Sequence, residues 1–223
     1  MTQNTATGVA STVSNGIAAS TIPADFVFLD EAISGLQIEL KYATTDNFVG
    51  AVIPGYEQAR AVTTRAAAAA LSGVQEQLKG LGLGLKIFDA YRPQRSVNFF
   101  VHWADDASDT RQKALFYPAL DKDSLIPNGY LAPQSGHSRG STVDVTLVRL
   151  SDGSELDMGT RFDFFGPQSW THFSGISRAQ QQNRQLLQKV MASHGFTGVK
   201  EEWWHFTLKN EPYPETAFDF IAA

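Results

Sequence analysis

Two residues that commonly bind metal ions, His137 and Asp144, lie seven positions apart. In one strand this spacing would put them on opposite faces and roughly 23 Å apart, and in one helix about 10 Å apart along the axis. Neither arrangement holds one ion, so the chain must turn between them. Residues 138–141 have the composition of a turn, and residues 142–148 are β-branched and alternating, as in a strand. The pattern therefore predicts His137 on a turn and Asp144 on the strand that follows.

A third ligand is available near the other end of the chain, in the run Glu-Glu-Trp-Trp-His that ends at His205. A catalytic zinc commonly has three protein ligands and one open position, and two histidines with one aspartate are an acceptable set. His172 is the alternative third ligand. Glu202 precedes His205 by three residues, so it should lie on a loop or bulge that leads into a strand. There it could act as a general base that takes a proton from the attacking water.

Arg92 is the candidate cation for the negative charge that develops on a carbonyl oxygen during hydrolysis. It precedes the first turn of a predicted helix, where the helix dipole disfavours positive charge, so helix capping does not explain it. The alternative is a surface residue paired with Asp89.

A different chemistry is suggested by residues 136–140, which match the G-x-S-x-G motif of serine hydrolases. Ser138, Asp163 and His205 even follow one another in the order of an α/β-hydrolase triad. That motif has its mechanical meaning only between a strand and a helix, whereas here a proline-containing loop precedes it and a strand follows. The sequence therefore disfavours a serine hydrolase.

Composition limits the classes of protein that are possible. The 223 residues, 43% of them hydrophobic and 18% charged, can form one substantial core and predict a single domain over residues 25–223. A net charge of −5 argues against nucleic acid or an anionic membrane as the main partner. The absence of cysteine excludes disulfides and thiolate chemistry. Residues 1–24 lack Lys and Arg and are predicted to form a flexible tail of a cytoplasmic protein.

The periodicity of the sequence predicts strands interspersed with helices at irregular spacing, which favours an α+β fold with a mixed or antiparallel sheet. Strands are predicted at 26–29, 36–42, 85–88, 142–150 and 203–208. Helices are predicted at 58–79, 93–103, 109–117 and 177–194, and loops at 44–56, 121–134 and 159–174.

Residues 135–144, Ser-Gly-His-Ser-Arg-Gly-Ser-Thr-Val-Asp, and residues 202–205, Glu-Trp-Trp-His, together resemble the zinc D-alanyl-D-alanine dipeptidases of the VanX type. The similarity extends to residues 29–31, 41–44, 46–47, 89–93 and 157–163 and runs from about Phe26 to about Leu208. It implies a compact α+β domain with a central, mainly antiparallel sheet, flanking helices and a zinc site on the sheet.

The same resemblance implies roles for individual residues. His137, Asp144 and His205 would bind one Zn²⁺ per chain, Glu202 would be the general acid and base, and Arg92 would stabilise the tetrahedral intermediate. Asp163 would meet the free amine of a short substrate, with Ser135 and Tyr42 lining the pocket.

The implied reaction is hydrolysis of D-Ala-D-Ala, in glycopeptide resistance or in catabolism of the cell-wall dipeptide. One alternative within the wider superfamily is a D,D-carboxypeptidase or endolysin-type peptidase that acts on longer peptidoglycan stems. Another is a non-catalytic module that binds muropeptides. The sequence predicts no oligomeric state.

Overall fold

A computed structural model describes residues 22–222 and contains one mixed sheet with helices around it. The predicted α+β class is therefore confirmed. Most of the predicted tail, residues 1–21, lies outside the described residues. In chain order the elements are β1 (Phe26–Phe28), α1 (Leu29–Ala32), β2 (Gln37–Ile38), β3 (Val62–Thr64), α2 (Arg65–Lys79), β4 (Leu83–Asp89), α3 (Gln94–Asp105), α4 (Lys113–Phe116), β5 (Thr142–Arg149), α5 (Arg178–Ser193), β6 (Phe196–Gly198) and β7 (His205–Leu208).

The five-stranded sheet has the strand order β2-β4-β5-β7-β6. Only β2 and β4 are parallel, and the other three pairings are antiparallel. The predicted mainly antiparallel central sheet is thus confirmed. A separate two-stranded ribbon joins β1 to β3.

The strand β5 divides the structure into two sides. Val143, Val145 and Leu147 alternate with polar residues and are fully buried. Helix α5 contacts β5, and helix α2 contacts β4. Both helices begin at residues whose side chains cap them. Thr64 accepts a hydrogen bond from the Ala67 N–H, and Ser177 forms a capping box with Gln180. The side chains of Thr142, Asp144 and Thr146 lie on the other face of β5, opposite the apolar side chains of the same strand.

The helix predicted from residue 58 begins only at Arg65. Residues 62–64 are a strand instead, paired in antiparallel register with Phe26–Phe28. The reason is the β-branched run Val-Thr-Thr, which suits an extended backbone and leaves Thr64 free to cap α2.

Three other boundaries were also wrong. The strand predicted at 36–42 is limited to Gln37–Ile38, because residues 41–43 form a single 3-10 turn that buries Tyr42. The second helical stretch is limited to Lys113–Phe116. The last strand begins at His205 rather than at residue 203, because residues 203 and 204 lie in a turn.

Two details of the sheet position the functional residues. Asp144 on β5 and His205 on β7 are direct cross-strand partners. The pairing of β4 with β5 shifts between Ile87 and Asp89, as at a β-bulge, so Phe88 and Asp89 share one position opposite β5. Within residues 22–222, none of the helices combines the length and the apolarity that crossing a bilayer requires.

Candidate metal centre and active site

Three potential metal ligands meet on the polar side of β5: His137, Asp144 and His205. Nδ1 of His205 lies 3.1 Å from Oδ1 of Asp144, and Nε2 of His137 lies 3.3 Å both from Oδ2 of Asp144 and from Nδ1 of His205. A tetrahedral ion with bonds of 2.0–2.1 Å separates its ligands by roughly 3.3–3.4 Å. The donor set and its spacing therefore fit one tetrahedrally coordinated divalent ion.

Hydrogen bonds hold both the backbone and the imidazole ring of His137. His137 lies in a 3-10 turn, Gly136–Arg139, in which the Ser135 hydroxyl accepts a hydrogen bond from the His137 N–H at 3.2 Å. Gly140 ends the turn at φ +83°, a conformation that favours glycine. The ring nitrogen Nδ1 lies 2.7 Å from the Ala90 carbonyl oxygen. Because a carbonyl only accepts, Nδ1 carries the proton and the lone pair of Nε2 faces the other ligands.

Asp144 and His205 are held by the sheet rather than by a turn. Asp144 is almost fully buried, and the His205 side chain is 18% exposed. Burial alone would raise the pKa of Asp144, but the two imidazoles outweigh it and hold the pKa of this carboxyl well below its usual range. The carboxylate thus stays charged, which is the form that binds a cation.

Glu202 lies in the turn before β7, on the lead-in that its spacing from His205 predicts. Its Oε2 is 3.5 Å from Nδ1 of His205. Burial raises the pKa of Glu202 to about 7, and the charge on Asp144 adds to this, whereas His205 and Arg92 oppose it. A carboxyl group that gains and loses a proton near neutral pH therefore lies beside the three potential metal ligands.

Arg92 is held inside the protein by a buried carboxylate. Its Nε and Nη2 each lie 2.9 Å from Oδ2 of Asp89, and its Nη2 lies 3.7 Å from Oδ2 of Asp144. The Asp89 carboxylate is fully buried and also accepts a hydrogen bond from the Tyr56 hydroxyl at 2.6 Å. The surface-residue alternative for Arg92 is thus wrong, although the expected partner is correct.

Asp163 reaches the same cavity from a loop without regular structure. Its backbone has φ +59°, the one non-glycine residue with positive φ among the described residues. Asp tolerates this left-handed conformation better than most residues do. The Tyr42 hydroxyl donates a hydrogen bond of 2.8 Å to Oδ2 of Asp163. Burial raises the pKa of Asp163 well above its usual range, and the charge on Asp144 adds to the effect.

The loop that carries Asp163 is anchored by Arg184 of α5, which is fully buried. Its guanidinium donates to three backbone carbonyls, those of Met158, Trp170 and Gln168, at 2.7–2.8 Å. Burial lowers the pKa of Arg184 to about 10, so the side chain is still charged at neutral pH. One buried cation thus closes the ends of the loop on either side of Asp163.

A cavity of about 230 Å³ joins these groups. The residues that line it include all eight for which a site role was predicted, namely Tyr42, Arg92, Ser135, His137, Asp144, Asp163, Glu202 and His205. Aromatic and aliphatic side chains, including Phe100, Tyr130, Leu131 and Phe165, complete the wall.

The two alternative assignments do not reach this site. His172 is exposed and is not part of the metal-ligating group. The hydroxyl of Ser138 is buried and has no hydrogen-bond partner among the described residues, so it is not activated by His205. The turn that carries Ser138 is followed by β5, not by a helix, which removes the mechanical basis of a nucleophile elbow.

Sequence reasoning missed the support given by Asp89 and Tyr56. From the sequence, Asp89 was considered only as a possible surface partner of Arg92, and Tyr56 was predicted to lie at the end of a loop. The spacing of Asp89 and Arg92 was the available signal, because a carboxylate at the end of a buried strand needs a charged partner. No local signal marks Tyr56, which reaches Asp89 only through the tertiary fold.

Three side chains that could hold a metal ion, beside a buried carboxyl group and a buried guanidinium, are the groups that a metal-dependent hydrolase requires. The comparisons with known proteins narrow this class. Residues 23–223 match the model of the Peptidase_M15 family, described as D-ala-D-ala dipeptidase, and the chain belongs to that family of zinc metallopeptidases.

Three relatives show how much of the chain the similarity covers. The chain is 45% identical over 198 residues to a D-alanyl-D-alanine dipeptidase of Enterococcus faecalis, which is 89% of this chain and 98% of that protein. It is 45% identical over 199 residues to one from Streptomyces coelicolor, with the same two shares. It is 36% identical over 186 residues to one from Escherichia coli, or 83% of this chain and 86% of that protein.

Proposed function

We propose that the protein is a zinc-dependent dipeptidase that hydrolyses D-alanyl-D-alanine to two molecules of D-alanine. The observation that carries this proposal is one small cavity in which the metal-ligating triad, Glu202, Arg92 and Asp163 all meet. The volume of about 230 Å³ is below the 300–1,000 Å³ of pockets for drug-sized ligands. The names of the relatives support the same substrate.

We assign one Zn²⁺ per chain to His137, Asp144 and His205. Two imidazoles and one carboxylate suit zinc and leave a coordination position open. Bound zinc supplies Lewis-acid polarisation of the peptide carbonyl and makes water a stronger nucleophile at neutral pH. Elemental analysis of the purified protein tests the stoichiometry, for which we expect one zinc per chain.

The protein's own groups carry the proton and the developing charge. Glu202 takes a proton from water while the water oxygen adds to the peptide carbonyl carbon. Arg92, held by Asp89, faces the oxygen that becomes negative. When the C–N bond breaks, Glu202 returns the proton to the leaving amine, so one water is consumed and the Glu202 carboxylate is restored.

Asp163 is proposed to bind the free ammonium group of the substrate. Tyr42 donates to one of its carboxylate oxygens, which leaves the other available to the ligand. A substrate ammonium would supply the positive partner that a buried carboxylate requires. Ser135 and Tyr42 complete the polar lining. This arrangement favours a free dipeptide over an acylated or longer chain.

The catalytic assignment is tested by Glu202→Gln, which keeps the shape and removes the base. We expect kcat on D-Ala-D-Ala to fall by about 10²–10⁴-fold, the usual contribution of general acid–base catalysis, with zinc content unchanged. Glu76→Gln, on the exposed face of α2, is the matched control. Full activity of Glu202→Gln would refute the assignment, and substrate binding without turnover in the wild type would favour a non-catalytic muropeptide-binding module.

The substrate assignment is tested by comparing D-Ala-D-Ala with N-acetyl-D-Ala-D-Ala and with a pentapeptide stem. We expect the wild type to prefer the free dipeptide and Asp163→Asn to lose most of that preference, because Asn fits the same backbone conformation without the charge. A preference for the longer stem would favour a D,D-carboxypeptidase or endolysin-type peptidase.

The biological role, glycopeptide resistance or catabolism of the cell-wall dipeptide, stays a prediction. So does the cytoplasmic location, which cell fractionation tests. Deletion of the gene, followed by measurement of glycopeptide susceptibility and of growth on D-Ala-D-Ala, distinguishes the two roles.

A further inference from the structure

Residues 211–222, here called the C-terminal segment, lie across the outside of the two loops that carry His137 and Arg92. The backbone of Phe218 bridges these loops: its N–H donates to the Ser138 carbonyl at 2.9 Å, and its carbonyl accepts from the Gln94 N–H at 3.0 Å. Ser138 is the neighbour of His137, and Gln94 is two residues from Arg92. One residue of the segment thus connects both loops.

A second contact holds the His137 turn through an ion pair. Arg139, the last residue of that turn, donates from Nε to both carboxylate oxygens of Glu211 at 2.9 and 3.0 Å, and its Nη2 lies 2.8 Å from Oε1. The Glu211 side chain is only 10% exposed. Pairs in which arginine contacts both carboxylate oxygens and is shielded from water are stronger than ordinary surface pairs.

A third contact holds the Arg92 loop. The ring of Phe220 stacks on the ring of Tyr91 with centroids 4.0 Å apart and an angle of 8° between the planes. The Tyr91 hydroxyl donates to the Phe220 carbonyl at 3.0 Å. Tyr91 directly precedes Arg92, so this contact fixes the backbone from which the guanidinium projects.

The loops themselves are joined by a long backbone hydrogen bond, from the Arg92 N–H to the His137 carbonyl at 3.3 Å, and by the contact of His137 Nδ1 with the Ala90 carbonyl at 2.7 Å. None of residues 211–222 lines the cavity, so the C-terminal segment does not contact a substrate there. We infer that the C-terminal segment positions His137 and Arg92, and thereby sets both the affinity for zinc and the rate of turnover. This inference rests on the proposed zinc site for the first quantity and on the proposed reaction for the second.

The inference is tested with Glu211→Gln, which removes the charge and keeps the shape, and with Glu215→Gln, an exposed position of the same segment, as the matched control. We expect the zinc dissociation constant of Glu211→Gln to rise by about 10-fold, the lower end of the effect of losing an outer-shell partner of a metal site. We expect kcat on D-Ala-D-Ala to fall by a similar factor with KM within about twofold, because no substrate contact is lost. Competition with a chromophoric chelator measures the zinc affinity without substrate.

Arg139→Gln should reproduce the effect, and the double variant should be no worse than either single variant, because both remove the same interaction. If Glu211→Gln does not fold, as judged by circular dichroism, Phe220→Leu gives a second test through the Tyr91 stack. Here kcat should fall with little change in zinc affinity. The inference is overturned if Glu211→Gln folds and has the same zinc affinity and kcat as Glu215→Gln. Where Phe220→Leu replaces it, the inference is overturned if Phe220→Leu has the same zinc affinity and kcat as Glu215→Gln.

If the wild type does not hydrolyse D-Ala-D-Ala, the proposed function fails, while the zinc measurement still tests the role of the C-terminal segment.

Discussion

The metal-ligating triad and Asp163 line the same cavity but are held by two different kinds of backbone. Asp144 and His205 are cross-strand partners on the sheet, and His137 lies in a capped turn that leads directly into β5. Asp163 lies in a loop whose shape depends on three bonds from Arg184 and one from Tyr42. Regular backbone therefore fixes the proposed metal ligands, whereas a few buried side chains fix the proposed substrate contact. The two regions should respond independently to mutation.

The largest effect is expected for Arg184→Met, which removes the support of the loop that carries Asp163 and leaves the sheet unchanged. It removes three charge-assisted hydrogen bonds and leaves three carbonyls without a partner, so the free energy of unfolding should fall by at least about 3 kcal/mol. In the folded fraction we expect KM for D-Ala-D-Ala to rise while zinc affinity stays unchanged. Denaturant unfolding and chelator competition measure the two quantities, with Arg178→Met, exposed on the same helix, as the control. A loss of zinc affinity would show that the two regions are coupled.

His205→Ala breaks the other region. Zinc affinity should fall by more than about 100-fold, beyond the 10–100-fold expected for an outer-shell partner, and the metal-free protein should lose some stability, because the buried Asp144 carboxylate loses one of its two imidazole partners. His137→Ala should lose zinc equally and destabilise the metal-free protein by about 1–3 kcal/mol more, since the Ala90 carbonyl also loses its donor. His102→Ala, an exposed position on α3, is the control. Equal stability of the two metal-free variants would contradict the difference in support.

Asp89→Asn tests a carboxylate that contacts both His137 and Arg92: its Oδ2 lies 3.5 Å from Nδ1 of His137 and 2.9 Å from Nη2 of Arg92. We expect kcat to fall by about 10–100-fold, because Arg92 loses its ionic partner, with Asp163 and its substrate contact intact. The discrimination between D-Ala-D-Ala and its N-acetyl derivative should therefore survive. Asp121→Asn removes an exposed carboxylate paired with Lys113 and should change neither quantity. Loss of discrimination in Asp89→Asn would place Asp89 in the substrate region instead.

The smallest expected effect, that of Gly82→Ala, is the reference that separates backbone strain from packing in the His137 turn. Gly140 and Gly82 both have positive φ, but a Cβ at Gly140 would overlap the ring of Phe26, whereas one at Gly82 would meet nothing within 4 Å. Gly82→Ala should cost about 1 kcal/mol of stability, and Gly140→Ala about 1–3 kcal/mol more, with weaker zinc binding. Thermal unfolding with and without zinc checks both. Equal costs would mean that Phe26 moves aside freely.

The same division between regions explains what the sequence could predict. The turn at His137, the strand at Asp144 and the lead-in at Glu202 follow from spacing and from local backbone preference, and the structure has each of them. The positions of Arg184 and Tyr56 do not follow, because their partners are backbone carbonyls and a carboxylate far away in the chain. Asp163 was associated with the site only through the family resemblance. Its conformation depends on tertiary contacts that no local pattern records.

An ion shared by Asp144 and His205 would also fasten β5 to β7, two strands whose paired residues are separated by 61 positions in the chain. Metal binding and folding are then linked, because the unfolded chain does not hold these ligands together. The melting temperature should climb with free zinc, by the equivalent of about 2.7 kcal/mol at a concentration 100 times the dissociation constant. Thermal denaturation at increasing zinc concentration therefore measures how much of the site is occupied. In cells the lifetime of the enzyme would increase with the concentration of available zinc.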